Sequence, residues 1–245
     1  MTTKRLTRRQ KRQHSVELNT IVNKKLTMKN IQPMTKNQEL LFNNYKNGNH
    51  IANIGSAGTG KTYVSLYLAL DDLMTSNNYE KIIIVRSAVQ SRDQGFMPGS
   101  LTEKMAYYEA PYVDIVNNLF ERADAYSTLK QQGMITFMST SFIRGLTFDN
   151  AIIIVDEAQN MSYGENRTIM TRVGNNSKII FCGDTRQDDL KTSKNRLDTS
   201  GLGDMIKVLS EMKDFSIIKF TTDDIVRSEL IKDFIITEER VLDYA

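Results

Sequence analysis

The sequence predicts an α/β fold, three layers around a mostly parallel central sheet, and three observations carry that expectation. Short runs rich in Ile and Val recur along the chain: "HIANI", "KIIIVRS", "MITFMST", "NAIIIVDEA", "KIIFCGD" and "FSIIKFT". Four of them are nearly uninterrupted, as strands buried on both faces of a parallel sheet are. Helix candidates lie between them around 61–75, 112–131, 164–173, 202–213 and 224–235, so strand and helix alternate as in βαβ units. Finally, 245 residues suit one large α/β domain or two small ones and can bury a sizeable core.

Taken in order, the chain opens with a basic arm. Met1 to Lys29 carries nine Lys or Arg and one acid, Glu17, leaving 23 basic and 28 acidic residues for the remainder. Residues 1–32 are therefore assigned to the arm and 33–245 to a single domain. The arm suits contact with nucleic-acid phosphates, or it is a solvated tail without packed structure. Pro33 marks the break, and "MTKNQELLFNNYKNG" reads as a short amphipathic helix closed by Gly48. The stretch 88–111, with Gly95, Pro98, Gly99 and Pro111, reads as a long irregular excursion, and "QDDLKTSKNRLDTSG" at 187–201 as a second. Composition is that of a globular protein, 40% apolar and 25% charged. A single cysteine, Cys182, excludes an intrachain disulfide framework and fits a reducing compartment. No apolar run approaches the roughly 20 residues that span a bilayer, and no secretory h-region opens the chain. The expected location is the cytoplasm.

Between the first apolar run and the first helix lies Gly55-Ser56-Ala57-Gly58-Thr59-Gly60-Lys61-Thr62, a full match to G-x-x-x-x-G-K-[ST]. Glycines let the backbone curl so that successive N–H groups face a phosphate, and the helix N-terminus adds its positive end. Lys61 would reach the β- and γ-phosphates of a nucleotide, and Thr62 would ligate Mg²⁺. "AIIIVDEAQN" then places Asp156 and Glu157 at the carboxyl end of a strand, where open α/β sheets bind their ligands. Asp156 suits a metal-binding carboxylate and Glu157 a general base for an attacking water. Two adjacent acids favour hydrolysis over transfer to a small acceptor. "IIFCGDTRQDDL" ends another buried strand, with Gln187 just beyond, able to hydrogen-bond a γ-phosphate or the attacking water.

Together these residues resemble the PhoH-like family, whose P-loop core is similar to the first, RecA-like motor domain of superfamily 1 helicases. The resemblance runs from about Thr35 to Phe234 and is carried by "GSAGTGKT", "VRSAVQSRDQGFMPGSLTEKMAYY", "FIRGLTFDNAIIIVDEAQN", "TRVGNNSKIIFCGDTRQDDL", "SGLGD" and "DDIVRSEL". It implies a P-loop NTPase using ATP and Mg²⁺, coupled to RNA or single-stranded DNA. By resemblance, Gln38 in "TKNQELLF" reads the adenine edge; an exposed helix position is the alternative. "GDTRQ" makes Gln187 the γ-phosphate sensor, and "DDIVRSEL" makes Arg227 the first candidate for an arginine finger, with Arg172 and Arg144 behind it. The family's usual Arg-Pro-Ala-Val is here Arg86-Ser87-Ala88-Val89, and the acid usual in the loop that follows is replaced within "QSRDQG". The segment between "DDL" and "SGL" is also longer and more charged than usual, so substrate preference is left open. Some relatives carry a PIN-type nuclease; with only a basic arm ahead of the core, none is expected here. One core supplies half of a helicase site, so a finger from a neighbouring copy, in a homo-oligomeric and specifically hexameric ring, is expected. The competing expectation is an ATP-gated binding or assembly module with little turnover.

Overall fold

The computed structural model describes residues 26–76, 78–87, 101–184 and 200–242. Six strands form one sheet: β1 (His50–Gly55), β2 (Lys81–Arg86), β3 (Ile135–Ser139), β4 (Ala151–Asp156), β5 (Lys178–Gly183) and β6 (Phe215–Phe220). Their order is β3-β2-β4-β5-β1-β6 and every pairing is parallel. All six strands read from the sequence are present.

Alternation along the strands divides the core in two. Ile51, Ile82, Ile84, Ile152, Ile154, Ile180 and Cys182 face one side. There they meet α1 (Lys36–Lys46), α2 (Lys61–Thr75), α3 (Leu101–Phe120) and α4 (Ala125–Gln131). Ala52, Ile54, Ile83, Val85, Ile153, Val155, Ile179 and Phe181 face the other, under α5 (Tyr163–Met170) and α6 (Leu202–Ser210). Helices on both faces explain why β4 and β5 are buried at every residue.

Local chemistry sets the helix ends. Thr35 caps α1 through a hydrogen bond from the Gln38 amide, and Ser162 with Glu165 forms a capping box on α5. Three sequence expectations are corrected. The chain is already helical from Leu101, with Pro111 inside α3, where an irregular excursion was expected up to residue 111. Burial of Tyr112, Val116, Leu119 and Phe120 along that helix outweighs the hydrogen bond that proline cannot make. The single helix expected over 112–131 is two, broken where Glu121 takes the left-handed conformation at φ 52°. The last helix, α7 (Glu229–Leu242), starts five residues later than expected, because Thr222–Asp224 forms a 3₁₀ turn. Buried Asp224 locks that turn by accepting from the Thr221 backbone at 2.9 Å and Asn37 Nδ2 at 2.7 Å. The second excursion, except for its last residues, lies outside the described residues.

His50 ties the sheet's start to solution pH. Its Nδ1 accepts the Ile179 N–H at 3.2 Å, which only the unprotonated nitrogen can do. Burial lowers its pKa, reinforced by the Lys178 charge and opposed by Asp214. A lowered folded-state pKa means the contribution is fully present above the unfolded value of about 6.5 and is lost as pH falls through the folded value. Urea midpoints of the wild type should therefore fall between pH 7 and pH 5 more steeply than those of His50→Asn, which keeps an acceptor and cannot titrate.

Candidate active site

The loop after β1 is shaped by three glycines at positive φ. Gly55 sits at φ 133°, and a Cβ there would lie 1.9 Å from the Phe220 carbonyl oxygen on neighbouring β6. Gly58 and Gly60 also have positive φ, at 74° and 81°. The loop's carbonyls are tied down from outside and within. Val226 N–H donates to Gly58 O (3.1 Å), Gln38 Nε2 to Thr59 O (3.0 Å) and the Thr59 hydroxyl to Ser56 O (3.0 Å). With the carbonyls engaged, the amides at the start of α2 are the groups left to meet an anion. Lys61 Nζ donates to Gly55 O and Ser56 O, both at 2.7 Å. Burial lowers its pKa, against the charges of Asp184, Glu157 and Asp156.

Across the cleft, the tip of β4 meets this loop directly. The Thr62 hydroxyl donates to Asp156 Oδ1 at 2.8 Å, and the fully buried Tyr112 phenol donates to Asp156 Oδ2 at 2.8 Å. Burial first, then the Asp156 charge, holds the Tyr112 pKa well above its usual value, so it remains a donor. Glu157 follows in the left-handed conformation (φ 51°), uncommon for a residue with a side chain and characteristic of functional positions. Burial and the neighbouring Asp156 raise the Glu157 pKa, while Arg86, Gln159 and Lys61 pull it back. Gln159 spans two strand tips: its Nε2 donates to Glu157 Oε2 at 2.5 Å, and its Oε1 accepts the Asp184 N–H at 3.0 Å.

Between them lies a cleft of about 360 Å³, bounded by residues 57–63, Ile115, Asp156, Glu157, Cys182, Gly183, Asp184 and Arg227. A hydroxyl and a carboxylate side by side are the hard oxygen donors that Mg²⁺ takes, together with phosphate oxygens and water. Among the described residues, no group of three or more His, Cys, Asp or Glu forms a metal cage. The donor set of Thr62 and Asp156 fits a nucleotide-borne Mg²⁺. Cys182 closes the floor beside Ser65, its pKa pushed up to about 12 chiefly by burial.

The loop residues, Asp156 and Glu157 thus converge as the sequence placed them. Gln38 is buried rather than exposed, its Oε1 accepting the Met34 N–H at 2.8 Å while Nε2 holds the loop. Gln187 lies outside the described residues. Arg227, the first candidate for the finger, lies against its own phosphate loop. The Val226–Gly58 hydrogen bond fixes the segment there, and a Cβ at Gly58 would lie 3.0 Å from Arg227 Cγ. Arg144 is exposed outside the cleft, and Arg172 sits beyond the other end of the sheet, where its carbonyl accepts the Phe148 N–H at 2.8 Å. Sequence reasoning quoted Arg86, Gln159 and Asp184 inside motifs without giving them roles. It had no signal at all for Tyr112, an apolar-spaced tyrosine on a helix.

Comparison with known proteins identifies the family and the fold. The chain is 32% identical over 208 residues to a PhoH-like protein of Mycobacterium tuberculosis (strain ATCC 25618 / H37Rv), covering 84% of this chain and 57% of that one. It is 34% identical over 208 residues to a PhoH-like protein of Bacillus subtilis (strain 168), covering 84% and 63% respectively. The chain therefore spans about three-fifths of the length of these relatives. Among solved structures, the large terminase from a thermophilic bacteriophage superposes with a TM-score of 0.51 at 15% identity, covering 87% of this chain and 52% of that one. That likeness shows a shared three-layer α/β P-loop fold. Residues 30–238 match the PhoH family profile, described as PhoH-like protein, and the chain belongs to that family.

Proposed function

We propose that this protein is an Mg²⁺-dependent ATPase whose hydrolysis is coupled to RNA or single-stranded DNA. The observation that carries the reading is the 2.8 Å hydrogen bond from Thr62 to Asp156, which joins phosphate loop and acidic strand tip into one site beside Glu157. In this reading the loop amides and Lys61 hold the phosphates, and Thr62 and Asp156 hold Mg²⁺, Asp156 through water. A Mg²⁺ ion held by these residues would neutralise phosphate charge. Glu157, held by Gln159, takes the proton of the attacking water. Arg227 stabilises phosphate charge within its own subunit, Gln187 senses the γ-phosphate, and Gln38 borders the adenine side.

Nucleic acid enters through charge: the basic arm provides phosphate contacts whose strength depends on salt. A homo-oligomer, in its simplest form a hexameric ring, is part of the proposal. Its support is α7, where Leu230, Phe234 and Val241 form one exposed apolar stripe. The same helix reaches the phosphate loop, with the Ser56 hydroxyl donating to Glu239 Oε1 at 3.2 Å. A second copy seated on that stripe would adjoin the nucleotide. Among the described residues no helix is long and apolar enough to cross a membrane, and the proposed location is cytoplasmic.

The deciding test is the steady-state ATPase rate of the full chain with Mg²⁺, with and without single-stranded RNA or DNA. Stimulation by polymer is expected. A rate that no polymer changes would favour the second reading, an ATP-gated binding or assembly module. Light scattering with ATP present that shows monomer alone would overturn the ring.

A further inference from the structure

Asp156 is held from two sides, and only one of them belongs to the phosphate loop. Thr62 takes Oδ1; Oδ2 is taken by Tyr112, which comes from the middle of α3. The Tyr112 ring is fully buried and packs against Phe137 of β3, with centroids 5.6 Å apart. The Arg86 charge acts on the Tyr112 hydroxyl and opposes the rise in its pKa. Arg86 ends β2, directly beside Asp156 in the parallel register. Its guanidinium lies 5.7 Å from the ring centroid of Tyr108, one helical turn before Tyr112 on α3. One face of α3 therefore meets the arginine of β2 through Tyr108 and the carboxylate of β4 through Tyr112.

We infer that Tyr112, beside Arg86, is a positioning residue for the metal ion: it fixes the rotation of the Asp156 carboxylate so that one oxygen faces Thr62 and the site where Mg²⁺ would sit. The physical reason is that a carboxylate turns about its terminal bond over a broad range of angles, whereas holding a metal ion, directly or through water, needs one oxygen at a set place. Hydrogen bonds to the second oxygen remove that freedom, as partners of ligating groups do in metal sites generally. Arg86 acts one step further out. It lends its charge to the Tyr112 oxygen and joins α3 to β2, so the metal site is sensitive to how these two elements sit together.

This inference rests on the ATPase reading, and the experiment separates the two. Binding of Mn²⁺, as a paramagnetic stand-in for Mg²⁺, is titrated by electron paramagnetic resonance on the full chain with ADP present. Binding of ADP without metal is measured in parallel. Tyr112→Phe keeps the ring and is expected to weaken Mn²⁺ binding by about 10- to 100-fold, as loss of such partners does elsewhere. ADP affinity without metal should hold. Arg86→Gln should weaken Mn²⁺ in the same direction by less, and the double variant should be no worse than Tyr112→Phe alone. Unchanged Mn²⁺ affinity in Tyr112→Phe, or an equal loss of metal-free ADP binding, overturns the inference. If that variant does not fold, Arg86→Gln decides by the same two readings. A wild type that binds neither Mn²⁺ nor ADP overturns the ATPase reading instead.

Discussion

Glu157→Gln should bind ATP like the wild type and turn it over about 10²- to 10⁴-fold more slowly, the range that a positioned general base contributes. The substitution is close to isosteric. Gln159 Nε2, now 2.5 Å from Glu157 Oε2, can donate to the new carbonyl oxygen, so the left-handed turn at residue 157 keeps its anchor. What is lost is the ability to accept a proton. Lys61 and the loop amides, which hold the phosphates in this reading, are untouched. Lys61→Ala should do the reverse and remove nucleotide binding itself. Fluorescent-nucleotide titration alongside steady-state turnover separates the two. Glu157→Gln turning over at the wild-type rate would take the base role away from this residue.

Gly55→Ala should be the most damaging small change in the site, costing about 2–5 kcal/mol from left-handed strain and overpacking together. The glycine takes φ 133°, and its missing Cβ would stand 1.9 Å from a backbone oxygen of β6, which cannot swing aside as a side chain can. The loop would have to leave β6, taking with it the Ser56 N–H contact to Phe220 O at 3.4 Å. Gly48 is the control. It has φ 90° with nothing within 4 Å of its would-be Cβ, so Gly48→Ala carries strain without a clash. Its cost should stay near 1 kcal/mol, the smaller left-handed penalty alone. Urea denaturation of both variants makes the comparison; equal losses would show that the approach of β6 does not matter.

Much of this was legible in the chain because it is local. A buried parallel strand announces itself in runs such as "IIIV", and a phosphate loop in glycines at fixed spacing, since both depend on neighbours in sequence. Pro111 misled because its rule is also local, while α3 is held by contacts of Tyr112 and Leu119 with a distant sheet. The placing of Arg227 depends on the fold in a different way. Its motif was recognisable, but which loop an arginine faces depends on where the chain turns after β6, and that turn is set by Asp224 binding Asn37, 187 residues away.

The sequence by itself determined the α/β class, all six strands, and the convergence of Lys61, Thr62, Asp156 and Glu157 at the strands' carboxyl ends. Those follow from periodicity and from the rule that a parallel sheet gathers the ends of its strands on one edge. Only the tertiary structure decided what surrounds the acid. Tyr112 reaches Asp156 across 44 positions, Gln159 links two strand tips, and Arg227 returns to its own loop. A hydrogen bond is satisfied within about 3 Å whatever the separation along the chain, so no spacing rule marks its partners beforehand.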